Sequence, residues 1–213
     1  MTGVILEDGT RLNVNMVVLG TGIAPNTQFL NRTDSGIKIA KDGGIATDPF
    51  LQTSVPDIYA AGDVASFPFW QTGEQARIEH WINAQDQGSY AAFNMMGKFI
   101  PFGNTPVFWG RQFNKTLQYV GYCSSFDDVI IQGDVNAQKF LGYYTQGDRV
   151  CAVSAQGRYQ EILTMFEAFN QNKMPSASQI RSGEATPDSI ARTLKQSEGC
   201  VNCRCRKMDN INK

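Results

Sequence analysis

The sequence predicts an α/β fold followed by a smaller α+β unit, and three observations support this prediction. A wholly apolar run at residues 16–19 ends in glycine and has the composition of a parallel strand buried on both faces. An amphipathic helix is predicted at residues 82–96, with Gly97 at its C-terminal end. From Pro101 onward, five alternating segments precede one helix, which is typical of an antiparallel sheet covered by a helix.

The first hundred residues contain short strand candidates separated by turns. Residues 4–6 and 11–14 flank an Asp8–Gly9 turn and form a predicted hairpin. Further strands are predicted at 16–19, 37–39, 45–47 and 58–61, and the aromatic segment 67–70 is predicted to be a loop. Small and apolar residues form one stripe of the predicted helix, which should therefore pack closely against a sheet: Ala84, Gly88, Ala91, Ala92 and Met95.

The second part of the chain, residues 101–178, is predicted to be a separate domain. Its strands are predicted at 107–109, 115–121, 128–132, 139–145 and 149–155. Its helix is predicted at 158–172, with an apolar inner face formed by Ile162, Met165, Phe166 and Phe169. The chain then becomes polar and is interrupted by Gly183, Pro187 and Gly199, so that residues 179–213 are predicted to form a flexible tail.

Charge and hydropathy argue against several classes of function. The chain has 19 Lys and Arg against 20 Asp and Glu, so that no excess positive charge favours nucleic acid or an anionic membrane. No apolar run is long enough to span a membrane, and Met1 is followed by neither a basic stretch nor an apolar leader. We therefore expect no membrane insertion, and a cytoplasmic or mitochondrial location.

The cysteines do not have the arrangement of a disulfide-stabilised protein. Cys123 and Cys151 are isolated in strand-like surroundings, which predicts no disulfide framework and a reducing compartment. Cys200, Cys203 and Cys205 are spaced as C-x2-C-x-C near the end of the chain. Three thiolates without a fourth ligand make an incomplete zinc site, so that no metal is expected.

Two predicted strands end in glycine and a polar residue. The first ends at Gly20-Thr21-Gly22, and the second runs into Gly62-Asp63. Each signal alone is weak, because glycines and Gly–Asp pairs are common in turns. In an open α/β sheet, however, ligands bind beyond the carboxyl ends of strands, where glycine lets the backbone approach and a carboxylate can accept bonds from sugar hydroxyls.

A longer pattern surrounds these two strand ends. Residues 17–26, 47–48 and 53–63 together resemble the FAD-proximal part of two-dinucleotide-fold flavoprotein reductases. Residues 79–85, 106–109 and 126–134 narrow this resemblance to the apoptosis-inducing-factor-like and ferredoxin-reductase-like branch. The resemblance implies that residues 1–25 are the closing edge of an NAD(P)H-binding domain, that residues 26–100 are the C-terminal part of an FAD-binding domain, and that residues 101–178 are a C-terminal reductase domain.

The resemblance also implies roles for individual residues. Asp63, after Gly62, would accept hydrogen bonds from the FAD ribityl chain, and Asn83 and Ala84 would begin a helix directed at the pyrimidine edge of the flavin. Trp109 would lie against the isoalloxazine. The same match assigns four further residues to the cofactor site: Gly22, Pro25, His80 and Trp81.

Each of these assignments has a structural alternative. Asn83 could serve as an N-cap, and Trp109 could fill an interface between domains. His80 is the single histidine, but hydride transfer from nicotinamide to flavin needs no proton shuttle, which favours a packed or hydrogen-bonded role over acid–base catalysis.

The implied function is transfer of electrons from NAD(P)H through FAD to an acceptor, either a protein or a small molecule. We also expect the protein to form a homodimer. Neither G-x-G-x-x-G motif of this family occurs in the chain, which indicates that the sequence starts well inside such an enzyme. The alternative is a truncated, redox-inactive binding or dimerisation module.

Overall fold

The computed structural model of the protein describes residues 2–31 and 34–196. Its first half contains a small hairpin of β1 (Val4–Ile5) and β2 (Arg11–Leu12), followed by the short helix α1 (Gln28–Asn31). A three-stranded sheet comes next, formed by β3 (Ile45–Ala46), β4 (Ala65–Pro68) and β5 (Gln75–Ala76). β3 is parallel to β4, and β4 is antiparallel to β5. The helix α2 (Trp81–Met95) completes this unit.

The inner face of α2 is lined by amides rather than by the predicted stripe of small residues. Its buried residues are Asn83, Gln87, Ala91 and Asn94, whereas Gly88, Ala92 and Met95 are exposed. The Asn94 side chain donates to the carbonyl oxygens of Phe50 (2.8 Å) and Ile100 (2.9 Å) and accepts from the Ile100 N–H (2.6 Å). The amides are buried because they satisfy backbone groups of the surrounding loops.

The second half is a five-stranded antiparallel sheet covered by a helix. The strands are β6 (Val107–Gln112), β7 (Lys115–Gly121), β8 (Asp128–Asp134), β9 (Lys139–Gln146) and β10 (Arg149–Gln156), in the order β6-β7-β10-β9-β8. The helix α3 (Tyr159–Asn170) packs on one face and buries Ile162, Met165, Ala168 and Phe169. The predicted antiparallel sheet with a covering helix is confirmed, and three of the four residues expected on the inner face of the helix are buried.

Three strand predictions in the first half are wrong. Residues 16–19 form no strand, and Val18 is 86% exposed, because no described segment pairs with this run. The segments 37–39 and 58–61 make single bridges through Ile39 and Tyr59 instead of ladders. Conversely, β4 occupies part of the aromatic segment predicted to be a loop, and its Phe67 is buried against Phe102 with a ring separation of 5.3 Å.

The prediction of a flexible tail from residue 179 is wrong for the described part of that segment. The helix α4 (Ala177–Ser182) has a capping box between Ser176 and Gln179, and α5 (Pro187–Gln196) follows it. Ile190 and Leu194 of α5 are buried in the same core as α3. The three terminal cysteines lie outside the described residues. None of the described helices combines the length and the apolar composition that crossing a bilayer requires.

Candidate functional site

Gly62 and Asp63 lie directly against the first two turns of α2. The Gly62 N–H donates to Oε1 of the fully buried Gln87 at 2.7 Å. Gly62 has φ +82°, a conformation that favours glycine, and a Cβ at this position would lie 3.5 Å from the Ala84 Cβ. The close approach of the two backbones therefore places the exposed Asp63 carboxylate beside the start of the helix.

The N-terminus of α2 lacks the usual side-chain cap. His80 is the N-cap residue and its side chain makes no capping bond, and the first turn contains no acidic residue. The first amide groups of a helix have no partner within the helix, and they carry the positive end of its dipole. Since α2 has 15 residues, this end can stabilise a negatively charged or electron-rich group.

A cavity of about 550 Å³ extends from this helix start to the second sheet. The His80 ring stacks on Phe108 with centroids 4.9 Å apart and an interplanar angle of 25°. Arg77, Tyr119 and Tyr122 also line the cavity, and Arg77 is paired with Glu79. Within the described part of the chain, Nδ1 of His80 and Nε of Arg77 are buried without a hydrogen-bond partner. The cavity wall therefore combines a charged side chain with aromatic rings, and two polar nitrogen atoms lie buried beneath its surface.

Burial controls the ionisation of the groups in this wall. Desolvation lowers the pKa of His80 below its ordinary value, although the nearby Asp63 and Glu79 carboxylates act in the opposite direction. Burial, with Tyr144 and Tyr122 close by, raises the pKa of Tyr119 to about 12. The imidazole and this phenol are therefore both neutral at physiological pH.

The lowered pKa of His80 predicts a pH dependence of stability. The unfolded chain binds a proton at His80 more readily than the folded chain, so the free energy of unfolding should fall as pH decreases from about 6.5 through the lower folded pKa. Urea unfolding at several pH values should show this slope in the wild type and a flatter profile in His80→Gln. Because the chain has one histidine, an unchanged slope in the variant would contradict the assignment.

The structure brings together five of the nine predicted site residues, namely Gly62, Asp63, His80, Asn83 and Ala84. Asn83 is not the N-cap, because the helix begins two residues earlier, and its side chain donates to the Ile78 carbonyl oxygen at 3.3 Å. Trp81 belongs to the first turn but is 79% exposed.

The other three predicted residues lie apart from this group. Gly22 has φ +77° and would meet nothing within 4 Å if it carried a Cβ, and Pro25 packs near Gly43. Trp109 is 54% exposed and does not line the cavity. It pairs with Gln118 on β7, whereas its neighbour Phe108 pairs with the cavity residue Tyr119, and successive residues of a strand face opposite sides.

Sequence reasoning missed Gln87 and Phe108. Gln87 follows Asn83 by four residues and precedes Ala91 by four, so that a buried amide stripe could have been recognised from helical spacing. No comparable signal identifies Phe108, since its contact with His80 joins two separate units of the fold.

Two family models match the two units of the fold. The model described as pyridine nucleotide-disulphide oxidoreductase matches residues 1–88, and the model described as reductase C-terminal matches residues 107–186. Residues 1–88 therefore belong to the pyridine nucleotide-disulphide oxidoreductase family, and residues 107–186 form a reductase C-terminal domain.

Curated relatives show which branch of this oxidoreductase family the chain resembles. Apoptosis-inducing factor 3 of Mus musculus is 40% identical over 162 residues, which cover 76% of this chain and 26% of the relative. Putidaredoxin reductase CamA of Pseudomonas putida is 35% identical over 173 residues, covering 81% of this chain and 38% of the relative. The chain thus spans roughly a quarter to two-fifths of the length of these relatives. The predicted resemblance to the apoptosis-inducing-factor-like and ferredoxin-reductase-like branch is confirmed.

A solved structure extends the comparison to three dimensions. The crystal structure of the covalent putidaredoxin reductase–putidaredoxin complex matches with a TM-score of 0.78 at 30% identity, covering 91% of this chain and 46% of that chain. The predicted fold class is confirmed: part of the FAD-binding domain of an oxidoreductase, followed by a C-terminal domain with an antiparallel sheet.

Proposed function

We propose that this chain forms part of an FAD-dependent NAD(P)H oxidoreductase that passes electrons from a nicotinamide cofactor through FAD to an acceptor. The observation that carries the proposal is the position of Gly62 and Asp63 beside the uncapped N-terminus of α2. A glycine corner, a free carboxylate and unpaired helix amides suit the ribityl chain and the pyrimidine edge of a flavin. The residues present therefore fit FAD.

Each group in this arrangement has a separate task. The Asp63 carboxylate accepts hydrogen bonds from ribityl hydroxyls, and the hydrogen bond from Gly62 to Gln87 holds that carboxylate at the helix start. The first amides of α2 stabilise negative charge on the pyrimidine. The stacked pair of His80 and Phe108 limits access of water from the cavity side. When bound, the flavin supplies the redox chemistry itself, and His80 stays neutral without serving as an acid or base.

The family resemblance alone supports the remaining cofactor contacts and the partners. On that basis we assign Gly22, Pro25, Trp81 and Trp109 to FAD contacts in the complete enzyme. The acceptor is an electron-transfer protein or a small molecule, and the name of the Pseudomonas putida relative supports a protein acceptor of the putidaredoxin kind. We further propose a homodimer, and a cytoplasmic or mitochondrial location.

A chimaera provides a direct test of flavin binding. Residues 1–196 would replace the matching segment of the Pseudomonas putida putidaredoxin reductase, which supplies the remainder of a nucleotide-binding enzyme. We expect a yellow protein whose flavin absorbance is bleached by NADH. A chimaera that elutes as a monodisperse, folded species without flavin would contradict the proposed function.

Asp63→Ala in this chimaera should weaken FAD retention by roughly ten- to a hundredfold. The change removes an acceptor and leaves buried hydroxyls of the ligand unpaired, which costs about 1–3 kcal/mol. Flavin content after gel filtration measures the effect. Glu74→Ala, which removes an exposed carboxylate from the same unit, should retain FAD.

Trp109→Ala in the same chimaera should retain more FAD than Asp63→Ala, while changing the flavin fluorescence and the rate of dye reduction. Equal losses of FAD and of dye reduction in the two variants would show that a site assignment is wrong.

A further inference from the structure

The structure joins Cys123 to Cys151 by a disulfide, although the sequence places the two residues 28 positions apart in separate strand-like segments. Their Cα atoms are 5.3 Å apart, which lies within the usual range for a disulfide. Cys123 follows the end of β7 by two residues, and Cys151 belongs to the neighbouring strand β10. The expectation that these cysteines are isolated is therefore wrong.

A β-bulge directs Cys151 toward its partner. The pairing of β10 with β9 shifts register between Val150 and Ala152, so that Cys151 is the extra residue. A bulge bends the strand locally and changes the direction of a side chain. The Cys151 carbonyl oxygen accepts a hydrogen bond from the Tyr122 N–H at 3.0 Å, which holds the segment containing Cys123 against the bulge.

The two sulfur atoms differ in their access to solvent. Cys151 is 1% exposed, whereas Cys123 is half-buried and lines the same cavity as His80 and Phe108. Thiol–disulfide exchange requires direct attack of a thiolate on one of the sulfur atoms, and access decides which sulfur is attacked. A reagent entering the cavity therefore reaches Cys123, and Cys151 becomes the leaving group.

The fold also accommodates the reduced form. Sγ of Cys151 lies 3.3 Å from the Tyr144 carbonyl oxygen. A thiol can donate a hydrogen bond to this oxygen, whereas a disulfide sulfur has no hydrogen to donate. The released Cys151 thiol thus has a hydrogen-bond partner in place on β9.

We propose that Cys123 and Cys151 form a reversible thiol–disulfide site, open at Cys123 to small thiols and disulfides of the glutathione class. In reduction, a glutathione thiolate attacks Sγ of Cys123, the S–S bond breaks, and Cys151 leaves as a thiolate that takes up a proton. A second glutathione thiolate attacks the glutathione sulfur of the mixed disulfide, which releases Cys123 and glutathione disulfide. Two glutathione molecules are oxidised for each protein disulfide reduced, and oxidation runs by the same steps in reverse.

This site goes beyond the proposed flavin chemistry, which uses neither cysteine. The cross-link also fixes the segment after β7 that carries Tyr122 and Cys123, and both residues line the cavity. The proposal concerns only thiol exchange on this chain, so that it can be tested without FAD, nicotinamide or an acceptor.

Peptide mapping of the folded chain tests the proposal. Trypsin should release residues 116–139 and 150–158, each of which contains one cysteine of the pair and none of the terminal cysteines. The chain is incubated with reduced or oxidised glutathione, quenched with acid and labelled with N-ethylmaleimide. We expect the two peptides to be linked after oxidised glutathione and separately labelled after reduced glutathione, with unchanged circular dichroism. A link that survives reduced glutathione in the folded chain, or that never forms, would overturn the proposal.

Single variants test the order of attack. Cys151→Ser should accumulate a mixed glutathione disulfide on residue 123, whereas Cys123→Ser should carry roughly tenfold less on residue 151, because that position is buried. The double variant Cys123→Ser/Ser124→Cys moves the thiol by one residue to an exposed position and should lose the link to Cys151. Equal adducts in both single variants, or a retained link in the double variant, would contradict the proposed geometry even where stability is altered.

Discussion

Gly121→Ala should lower the free energy of unfolding by about 2–6 kcal/mol. Gly121 has φ +93°, and a Cβ there would lie 2.6 Å from the Cys151 carbonyl oxygen and 2.9 Å from the Ala152 Cα. Both neighbours are backbone atoms of β10, so that the strands must separate locally. The unfavourable φ costs about 1–3 kcal/mol and the overpacking about 1–3 kcal/mol more. Urea unfolding followed by far-ultraviolet circular dichroism measures the loss.

Gly147→Ala is the matched control for this prediction. Gly147 also has a positive φ, +59°, at the turn between β9 and β10, but a Cβ would meet nothing within 4 Å. Gly147→Ala should therefore lower the free energy of unfolding only by the cost of the positive φ, which is about 1–2 kcal/mol. If Gly121→Ala and Gly147→Ala were equally stable, the close contact between β7 and β10 would not explain why residue 121 is glycine.

Met165→Ala should destabilise the C-terminal unit by about 2–5 kcal/mol, through lost apolar burial and the cavity that remains. Met165 is fully buried on α3, in a core shared with β7, β9, β10 and the helices α4 and α5. The same urea titration measures the free energy of unfolding of the variant and of the wild type. Leu163→Ala, two residues away on the same helix and 44% exposed in the wild type, should cost less than about 1 kcal/mol. A similar loss in both variants would mean that α3 does not pack as described.

The C-terminal unit could be predicted closely because its strands and turns are specified by short stretches of neighbouring residues. Its strands alternate in polarity, and neighbours such as β9 and β10 are joined by a short turn around Gly147. The observed β7 has the same bounds as the predicted segment. In contrast, α5 was missed although Thr186 and Ser189 exchange hydrogen bonds at its start and Pro187 is its first residue, a combination typical of a helix N-terminus.

The first unit was harder to predict because its strands depend on partners that lie far away in the sequence. An apolar run such as 16–19 is equally compatible with a strand and with an extended segment, and only pairing decides between them. Composition was also misleading for α2, since Asn83, Gln87 and Asn94 are buried although amides usually indicate a surface. These amides are buried because they form hydrogen bonds with backbone groups of nearby loops, and a sequence pattern does not show where those loops lie.

The candidate site could be predicted in outline but not in its contacts. The family resemblance identified Asp63 and the start of α2 as parts of a cofactor site, and the structure brings them together. The roles proposed for them in FAD binding remain predictions. Periodicity could not identify Phe108 as the cavity residue of β6, or join Cys123 to Cys151, because both depend on how separate segments pack against one another.

The amide face of α2 also determines the angular position of that helix about its own axis. Apolar side chains tolerate small rotations, because their contacts have little directional preference, whereas hydrogen bonds weaken steeply when donor and acceptor are misaligned. Gln87 bonds to Gly62 near the middle of α2, and Asn94 bonds to Phe50 and Ile100 near its C-terminal end. Advancing the helix by one residue would rotate it by about 100° and break both sets of bonds at once. The direction in which the first-turn amides point is therefore determined in part at the opposite end of the helix, two turns away from Gln87.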